Sequence, residues 1–341
     1  MITVKNEGII LEKTDMEFEN KAVLNPACIQ VDDITHMFYR AIDHNDVSSI
    51  GYCQMKGNKV VKRLKEPVLF PEYDYEKKGV EDPRITLLEG TYYLLYTAFD
   101  GKNALIAYAT SKDLAHFVKQ SLISPKISYD EAEDIFRTSK VRERYTTFEK
   151  LYKEKGSKDI LLFEKDAALF PRKFGSKFAL LHRILPGIQI IYFDNFSELT
   201  KDYWRDYFKN LGDFIVLDPL FRFENRNIGD GCPPIETEDG WLIIYHAVED
   251  TPLGKIYHAS AALFDLKDPL KLVGRLKEPL FSPKTPWEKN DVTNNVIFPT
   301  GTVVRDKRLY IYYGAADKLI AAKSVDLTEL LTELKKSSLK L

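Results

Sequence analysis

An excess of either charge is missing from the 341-residue chain: 49 Lys and Arg stand against 51 Asp and Glu, a net charge of −2 at pH 7. Without a basic stripe, neither nucleic acid nor an anionic membrane surface is an expected partner. No run of about 18 apolar residues is present to cross a bilayer. The opening Met1-Ile2-Thr3-Val4-Lys5-Asn6-Glu7 lacks the apolar core of a secretion signal, so a cytoplasmic location is expected. Cysteine is scarce. Cys28, Cys53 and Cys232 are an odd number without metal-ligand spacing, which predicts buried reduced thiols. A glycine-rich phosphate loop, a zinc-binding His pair and a dinucleotide fingerprint are all absent, so neither metal nor cofactor is expected. No stretch has the composition of a disordered linker, and residues 1–341 read as one domain.

What the chain does have is a repeat. Asn25-Pro26-Ala27-Cys28 leads into the strand-like Thr35-His36-Met37-Phe38-Tyr39-Arg40-Ala41, with fifteen positions from Asn25 to Arg40. Fifteen also separate Asp82 from Thr97, which closes Thr91-Tyr92-Tyr93-Leu94-Leu95-Tyr96-Thr97. A slightly longer copy joins Lys165-Asp166-Ala167-Ala168-Leu169-Phe170-Pro171 to Phe178-Ala179-Leu180-Leu181-His182-Arg183. The fourth runs from Gly231-Cys232-Pro233-Pro234 to Trp241-Leu242-Ile243-Ile244-Tyr245-His246, and the fifth from Asn295-Val296-Ile297-Phe298-Pro299 to Leu309-Tyr310-Ile311-Tyr312-Tyr313-Gly314. All-strand repeats of this length predict an all-β, five-bladed propeller, with a sandwich of regular strand spacing as the alternative. Five equivalent leading segments around one axis would bring Asn25, Asp82, Lys165, Asp166, Asp230 and Asn295 together.

Two helices interrupt the pattern. Residues 129–156 are charged, and Val141, Tyr145, Phe148, Leu151 and Tyr152 fall at helical spacing, which predicts a helical insertion between blades two and three. It would serve as a lid, as an arm for a homo-oligomer, or as packing against the blades. A short C-terminal helix is predicted over 324–335, with a cap-like start at Ser324. Phe196 to Trp204 begin an aromatic linker. Glycines 229 and 231 around Asp230 would let backbone approach a ligand closely.

The stretch Gly79-Val80-Glu81-Asp82-Pro83-Arg84 carries the chemistry. Proline pushes the residue before it into an extended conformation, so Asp82 is expected on extended backbone, with Arg84 on the same face and able to tune its charge. The aromatic strands align Arg40, Thr97, Arg183, His246 and Gly314 in one column, three of them potential cations. Carboxylates, cations and many Tyr and Trp side chains suit a neutral, polyhydroxylated ligand. Two carboxylates alone would point to glycoside hydrolysis; a carboxylate facing a cationic cluster points to an oxyanion such as phosphate in place of water. A set of salt bridges tying blades together has the same composition.

Glu81-Asp82-Pro83-Arg84 before an aromatic strand, Lys165-Asp166-Ala167-Ala168-Leu169-Phe170-Pro171, Pro233-Pro234-Ile235-Glu236-Thr237 before Gly240-Trp241, and Phe298-Pro299-Thr300-Gly301 before Tyr312-Tyr313-Gly314-Ala315-Ala316-Asp317 together resemble glycoside hydrolase family 130. The likeness covers about residues 20–332 in unbroken motif order. That family comprises inverting mannoside phosphorylases and some β-1,2-mannosidases on a five-bladed propeller. The resemblance implies that Asp82 is the general acid, passing its proton through a hydroxyl of the bound mannose. It implies a phosphate site at Arg40, Lys165, His246 and Tyr257, and mannose contacts from Asn25 and Asp317. Arg84, Asp166, Arg183 and Asp230 join them as substrate-binding candidates from the repeat itself. The implied reaction consumes a β-mannoside and inorganic phosphate as co-substrate, yielding mannose 1-phosphate.

One position departs. Many phosphorylases of the family carry Lys nineteen residues before the His of Tyr-His, and here that residue is Asn227. A missing charge-assisted contact is worth about 1.5–3 kcal/mol. Either Lys165, Arg40 and His246 suffice, or Arg226 swings in, or the enzyme is an inverting β-mannosidase with Asp230 or Glu236 activating water. A non-catalytic sugar-binding propeller is the remaining alternative.

Overall fold

The computed structural model describes residues 2–139, 141, 143–146, 160–289 and 295–337. Strands come in five consecutive groups. After β1 (Lys5–Leu11), the first holds β2 (Ala22–Val31), β3 (Ile34–Ile42), β4 (Ser48–Lys56) and β5 (Lys59–Arg63). The second holds β6 (Gly79–Leu88), β7 (Thr91–Phe99), β8 (Ala104–Ser111) and β9 (Val118–Leu122). The third holds β10 (Lys165–Leu169), β11 (Phe178–Arg183), β12 (Ile188–Phe193) and β13 (Ile215–Leu217). β14 (Asn227–Asp230), β15 (Ile235–Thr237), β16 (Gly240–Thr251), β17 (Gly254–Phe264) and β18 (Leu272–Arg275) form the fourth, and β19 (Ile297–Arg305), β20 (Arg308–Ala315) and β21 (Leu319–Asp326) the fifth.

Each group is an antiparallel meander, and a single parallel pair, Ser48 with Gly79, joins the first two into one sheet. The fifth group is completed from the far end of the chain. β1 pairs with β21, so the last sheet runs β1-β21-β20-β19.

The first strand of most groups carries a bulge where the sequence has its polar or Pro-marked segment. Register breaks fall between Leu24 and Ala27, Glu81 and Arg84, Lys165 and Ala168, and Pro299 and Gly301. Inside three of them Asn25, Asp82 and Asp166 take φ of 47°, 50° and 57°. This corrects the expectation for Asp82. Proline excludes the right-handed helical region for the preceding residue, but the bulge puts Asp82 in the left-handed region, which Asn and Asp tolerate better than other side chains.

A second repeated device lies on the opposite face of the second strands. Glu19, Glu76, Glu224 and Glu288 are fully buried, each ending a one-turn 3-10 helix. Each accepts a hydrogen bond from a buried tyrosine: Tyr39 at 2.7 Å, Tyr96 at 3.1 Å, Tyr245 at 2.8 Å and Tyr313 at 2.6 Å. Each also pairs with a cation: Arg63, Lys119, Arg275 or Lys323. In the third group His182 stands in the tyrosine position, its Nδ1 2.6 Å from buried Glu164 and its Nε2 2.7 Å from the Tyr207 hydroxyl. Every anchor immediately precedes a column residue, Arg40, Thr97, Arg183, His246 or Gly314. Because strand side chains alternate, locking the anchor into the sheet interior aims its neighbour the other way.

Helix α1 (Tyr129–Thr138) is capped by Ser128 and buries Ala132 and Phe136. Residues 143–146 are also helical; positions 147–156 of the foreseen 129–156 insertion, including Phe148, Leu151 and Tyr152, lie outside the described residues. The expected aromatic linker is instead helix α2 (Lys201–Lys209), capped by Thr200. Trp204, Tyr207 and Phe208 form its buried stripe, and Trp204 Nε1 donates to the Ile123 carbonyl at 2.8 Å. Lys201 and Arg205 on α2 both pair with Glu131 on α1, so α1 packs against the third sheet's helix. Helix α3 (Leu327–Lys336) begins later than the foreseen 324–335, because Ser324 and Val325 continue β21 and Asp326 is the cap. The three cysteines are buried and unpaired, as expected. Among the described residues no helix is long and apolar enough to cross a membrane.

Candidate functional site

The bulges and second strands converge on a cavity of about 220 Å³. Asn25, Arg40, Asp82, Lys165, Asp166, Arg183, Tyr257 and Asp317 all line it. These residues come from four of the five strand groups and from the turn after β20. A larger recess of about 560 Å³ lies beside α2. Tyr192, Tyr203 and Tyr207 line it with Ile191 and Phe214, and Lys177 and Asp206 are its only charged lining among the described residues, so size alone does not mark the site.

Asp82 is nearly buried, and its Oδ1 accepts from Asn25 Nδ2 at 2.7 Å, with Arg40 Nη1 at 3.4 Å. Burial alone would raise its carboxyl, but Arg40, then Lys165, the Asn25 hydrogen bond and Arg84 hold it below the ordinary carboxylate range. Asp82 is therefore ionised in the unliganded cavity. Asp317, in the left-handed region at φ 55°, goes the other way: burial and then the charge of Asp82 push its carboxyl up, and Arg40 only partly offsets them. The absence of a side chain at Gly314 is needed here. A Cβ at that position would stand 2.0 Å from Asn25 Oδ1.

Three predicted residues lie behind the lining. Arg84 does not share a face with the Asp82 carboxylate, because the bulge between them shifts the register. Instead it is buried, donating Nε to the Gly231 carbonyl at 2.5 Å and Nη1 to the Asp82 carbonyl at 2.8 Å, with Nη2 3.5 Å from Asp166. It is a strut that reaches from β6 to the third and fourth groups. Asp230 is fully buried, and neither of its carboxylate oxygens has a hydrogen-bond partner among the described residues. Burial pushes its carboxyl well above the ordinary range, with Arg84 opposing and Asp166 reinforcing the shift.

His246, foreseen as a cation, is neutral. Burial lowers its pKa to about 3, Asp166 opposing and Arg183 and Arg84 adding to the fall. Its Nε2 sits 3.3 Å from Arg183 Nη1, so the ring accepts there and carries its proton on Nδ1. Phe298, which sequence reading left out of the site, packs tilted against this ring, centroids 4.4 Å apart, and lines the cavity. Asp166 receives Arg183 Nη1 at 2.5 Å. Gly229 leaves room for His246 and Asp166 rather than for a ligand; a Cβ there would lie 2.4 Å from the imidazole.

Asn295, expected among the converging tips, is not in the lining. Its carbonyl accepts from the Tyr257 amide at 2.9 Å and so places Tyr257. Asn227 is buried on β14 and does not line the cavity, and Arg226 is engaged elsewhere, 2.9 Å from Asp250. Glu236 lies on β15 and pairs with Arg172 at 3.4 Å, outside the lining. The ion pairs do tie strand groups together, as the structural reading of the motif required, and they also leave Arg40, Lys165 and Arg183 facing one cavity. Such an arrangement can hold an oxyanion beside a carboxyl group and further uncharged and charged polar groups.

The family of glycoside hydrolases numbered 130, described as beta-1,4-mannooligosaccharide phosphorylase, matches residues 5–336. A 1,2-beta-oligomannan phosphorylase from Thermoanaerobacter sp. (strain X514) is 31% identical, covering 96% of this chain and 97% of that protein. A beta-1,2-mannobiose phosphorylase from the same organism is 33% identical, covering 95% and 96%. In three dimensions the chain is similar to the beta-1,2-mannobiose phosphorylase of Listeria innocua, solved with beta-1,2-mannobiose, at a TM-score of 0.72 and 20% identity over 98% of this chain and 99% of that one.

Proposed function

The chain belongs to glycoside hydrolase family 130, and on that premise we propose that it is an inverting phosphorylase of β-1,2-linked manno-oligosaccharides. An oxygen of hydrogen phosphate attacks the anomeric carbon from the face opposite the leaving sugar. Bound phosphate offsets Arg40 and Lys165, the cations that hold Asp82 ionised in the unliganded cavity, so Asp82 carries a proton in the complex. The glycosidic C–O bond breaks, Asp82 gives that proton to the leaving oxygen, and α-mannose 1-phosphate and a shortened sugar result. The proton carried by hydrogen phosphate restores Asp82.

One observation carries this reading: Arg40, Lys165 and Arg183 line the same small cavity as Asp82, while neither carboxylate considered as a hydrolytic base reaches it. Asp230 is sealed behind the lining and Glu236 is outside it. Asp317, whose carboxyl burial and the charge of Asp82 push up, is read as a partner for a sugar hydroxyl. Arg183, paired with Lys165 across β10 and β11, supplies the cation that Asn227 does not. Both full-length relatives are named for β-1,2 linkages, which supports that linkage. The cavity, at about 220 Å³, is below the roughly 300 Å³ that encloses a drug-sized ligand. It suits one mannosyl unit and phosphate, with the rest of the chain outside.

The five strand groups are read as the blades of a five-bladed propeller forming one domain, with β1 closing the last blade on the first. Three buried, unpaired thiols support a reducing, cytoplasmic setting.

The test is product analysis on a mannobiose and mannotriose panel with and without phosphate. Phosphate-dependent mannose 1-phosphate from the β-1,2 substrates is expected. Free mannose at a rate indifferent to phosphate would instead establish the hydrolase. Asp82→Asn, which keeps a side chain tolerant of the left-handed bulge, should remove turnover by a factor of about 10² or more and leave sugar binding in place; unchanged turnover would exclude Asp82 as the acid.

A further inference from the structure

The Arg40 guanidinium pairs with two carboxylates, closely with one and at long range with the other. Its Nη2 is 2.6 Å from Glu81 Oε1, its Nε donates to Ser48 Oγ at 2.9 Å, and its Nη1 stands off from Asp82 at 3.4 Å. The second oxygen of Glu81 lies 3.8 Å from Lys165 Nζ. Glu81 is nearly buried and is not itself in the cavity lining. Its seat is built for it: a Cβ at Gly79 would come 2.9 Å from Glu81 Oε1 and 3.0 Å from its Cγ. One carboxylate thus reaches a guanidinium on β3 and an ammonium on β10 from behind the wall they form.

We propose that Glu81 is a positioning residue, fixing Arg40 and Lys165 as a pair toward phosphate and withholding Arg40 from Asp82 so that the acid can carry its proton. The proposal rests on the phosphorylase reading above. The titratable and charged groups around Asp82 come from every side: Arg40 from β3, Lys165 and Asp166 from β10, Arg84 from its own strand, Arg183 and neutral His246 from the neighbouring groups, and Asp317 from the turn after β20. Arg40 and Lys165, the two cations that lower the Asp82 carboxyl most, both pair with Glu81. Without the Glu81 charge, the carboxylate in ion-pair range of Arg40 among the described residues is Asp82, with Asp317 acting from farther away. A guanidinium closing from 3.4 Å to hydrogen-bonding distance stabilises the ionised form, the form that cannot donate.

The experiment measures kcat and KM for phosphate across pH in the phosphorolysis of β-1,2-mannobiose by wild type, Glu81→Gln and Glu81→Asp. A general acid must be protonated, so its pKa in the complex sets the alkaline limb of kcat. In Glu81→Gln the limb should move down by about one pH unit, with kcat at neutral pH down about tenfold. KM for phosphate should change less than kcat, because Arg40 and Lys165 remain at the wall. In Glu81→Asp the carboxylate is drawn back by about one bond length, and the limb should move the same way by about half as much. An alkaline limb that stays put in either folded variant, with kcat lowered equally at every pH, overturns the proposal and leaves Glu81 a structural residue. If Glu81→Gln fails to fold, the Asp variant decides alone by the same criterion. Wild-type turnover without phosphate would instead defeat the phosphorylase reading, so the two failures are separable.

Discussion

Asn25 Nδ2 donates to Asp82 Oδ1 at 2.7 Å, joining two left-handed bulge residues from the first and second strand groups. This bond favours the ionised carboxylate, one of the causes that keep Asp82 below the ordinary range. Asn25→Gly keeps the positive φ at no steric cost and removes the donor. The Asp82 pKa should rise, so the alkaline limb of kcat should move to higher pH while kcat itself falls through lost sugar contact. A pH–rate profile with the limb unmoved would show that Arg40 and Lys165 alone set the charge of Asp82.

Asp230 gives a stability prediction of definite sign. Its folded pKa is raised above the unfolded value, so its contribution is fully present below the unfolded pKa and is lost as pH rises through the folded one. Asp230→Asn removes that loss. The variant should melt above wild type at about pH 8, with the difference closing toward about pH 4, where the unfolded carboxyl also takes up its proton. A difference independent of pH would mean that Arg84 keeps Asp230 ionised in the folded chain.

The anchors behind the cavity should matter to stability and not to chemistry. Glu288 is fully buried, accepts from Tyr313 at 2.6 Å and pairs with Lys323 at 2.6 Å. Glu288→Ala leaves a buried ammonium unpaired, a cost of about 3–5 kcal/mol. Tyr313→Phe leaves the carboxylate its cation and should cost only about 1–3 kcal/mol. Denaturant unfolding measures both, and KM for phosphate in either variant, taken well below its melting temperature, should match wild type.

These anchors show where the sequence was legible and where it was not. The column Arg40, Thr97, Arg183, His246 and Gly314 could be aligned from spacing because strand periodicity is local, and the structure places its members opposite the first strands of the five groups, four of them bulged. The recurring aromatic-Glu pairs, Phe18-Glu19, Tyr75-Glu76, Phe223-Glu224 and Trp287-Glu288, were equally visible and went unread. So did Trp204, Tyr207, Phe208 and Leu211, whose helical spacing marks α2. Arg84 and His246 were a different kind of miss. A bulge changes which way the following side chains point, and the charge of an imidazole depends on burial by strands far away in sequence. Neither is encoded in the local motif. The pairing of β1 with β21 likewise joins residues such as Lys5 and Ser324, and only the assembled fold reveals it.

With Asn227 where a lysine was expected, phosphate use is predicted to turn on Arg183. Asn227 is buried outside the cavity lining, and Arg226 is spent on Asp250, so neither can contribute a cation without a rearrangement. Arg183 lines the cavity, aligned with Lys165 in the β10–β11 register and steadied by Asp166 and by neutral His246. Removing it should cost one charge-assisted contact, about 1.5–3 kcal/mol, or roughly a tenfold to hundredfold rise in KM for phosphate. Asp166 keeps Arg84 as a partner, so Arg183→Gln does not strand a buried carboxylate. Arg226→Gln is the matched control and should leave KM for phosphate unchanged. If Arg226→Gln raises KM while Arg183→Gln does not, the cation that replaces the missing lysine is Arg226 after all, and the Asp250 pair must open when phosphate binds.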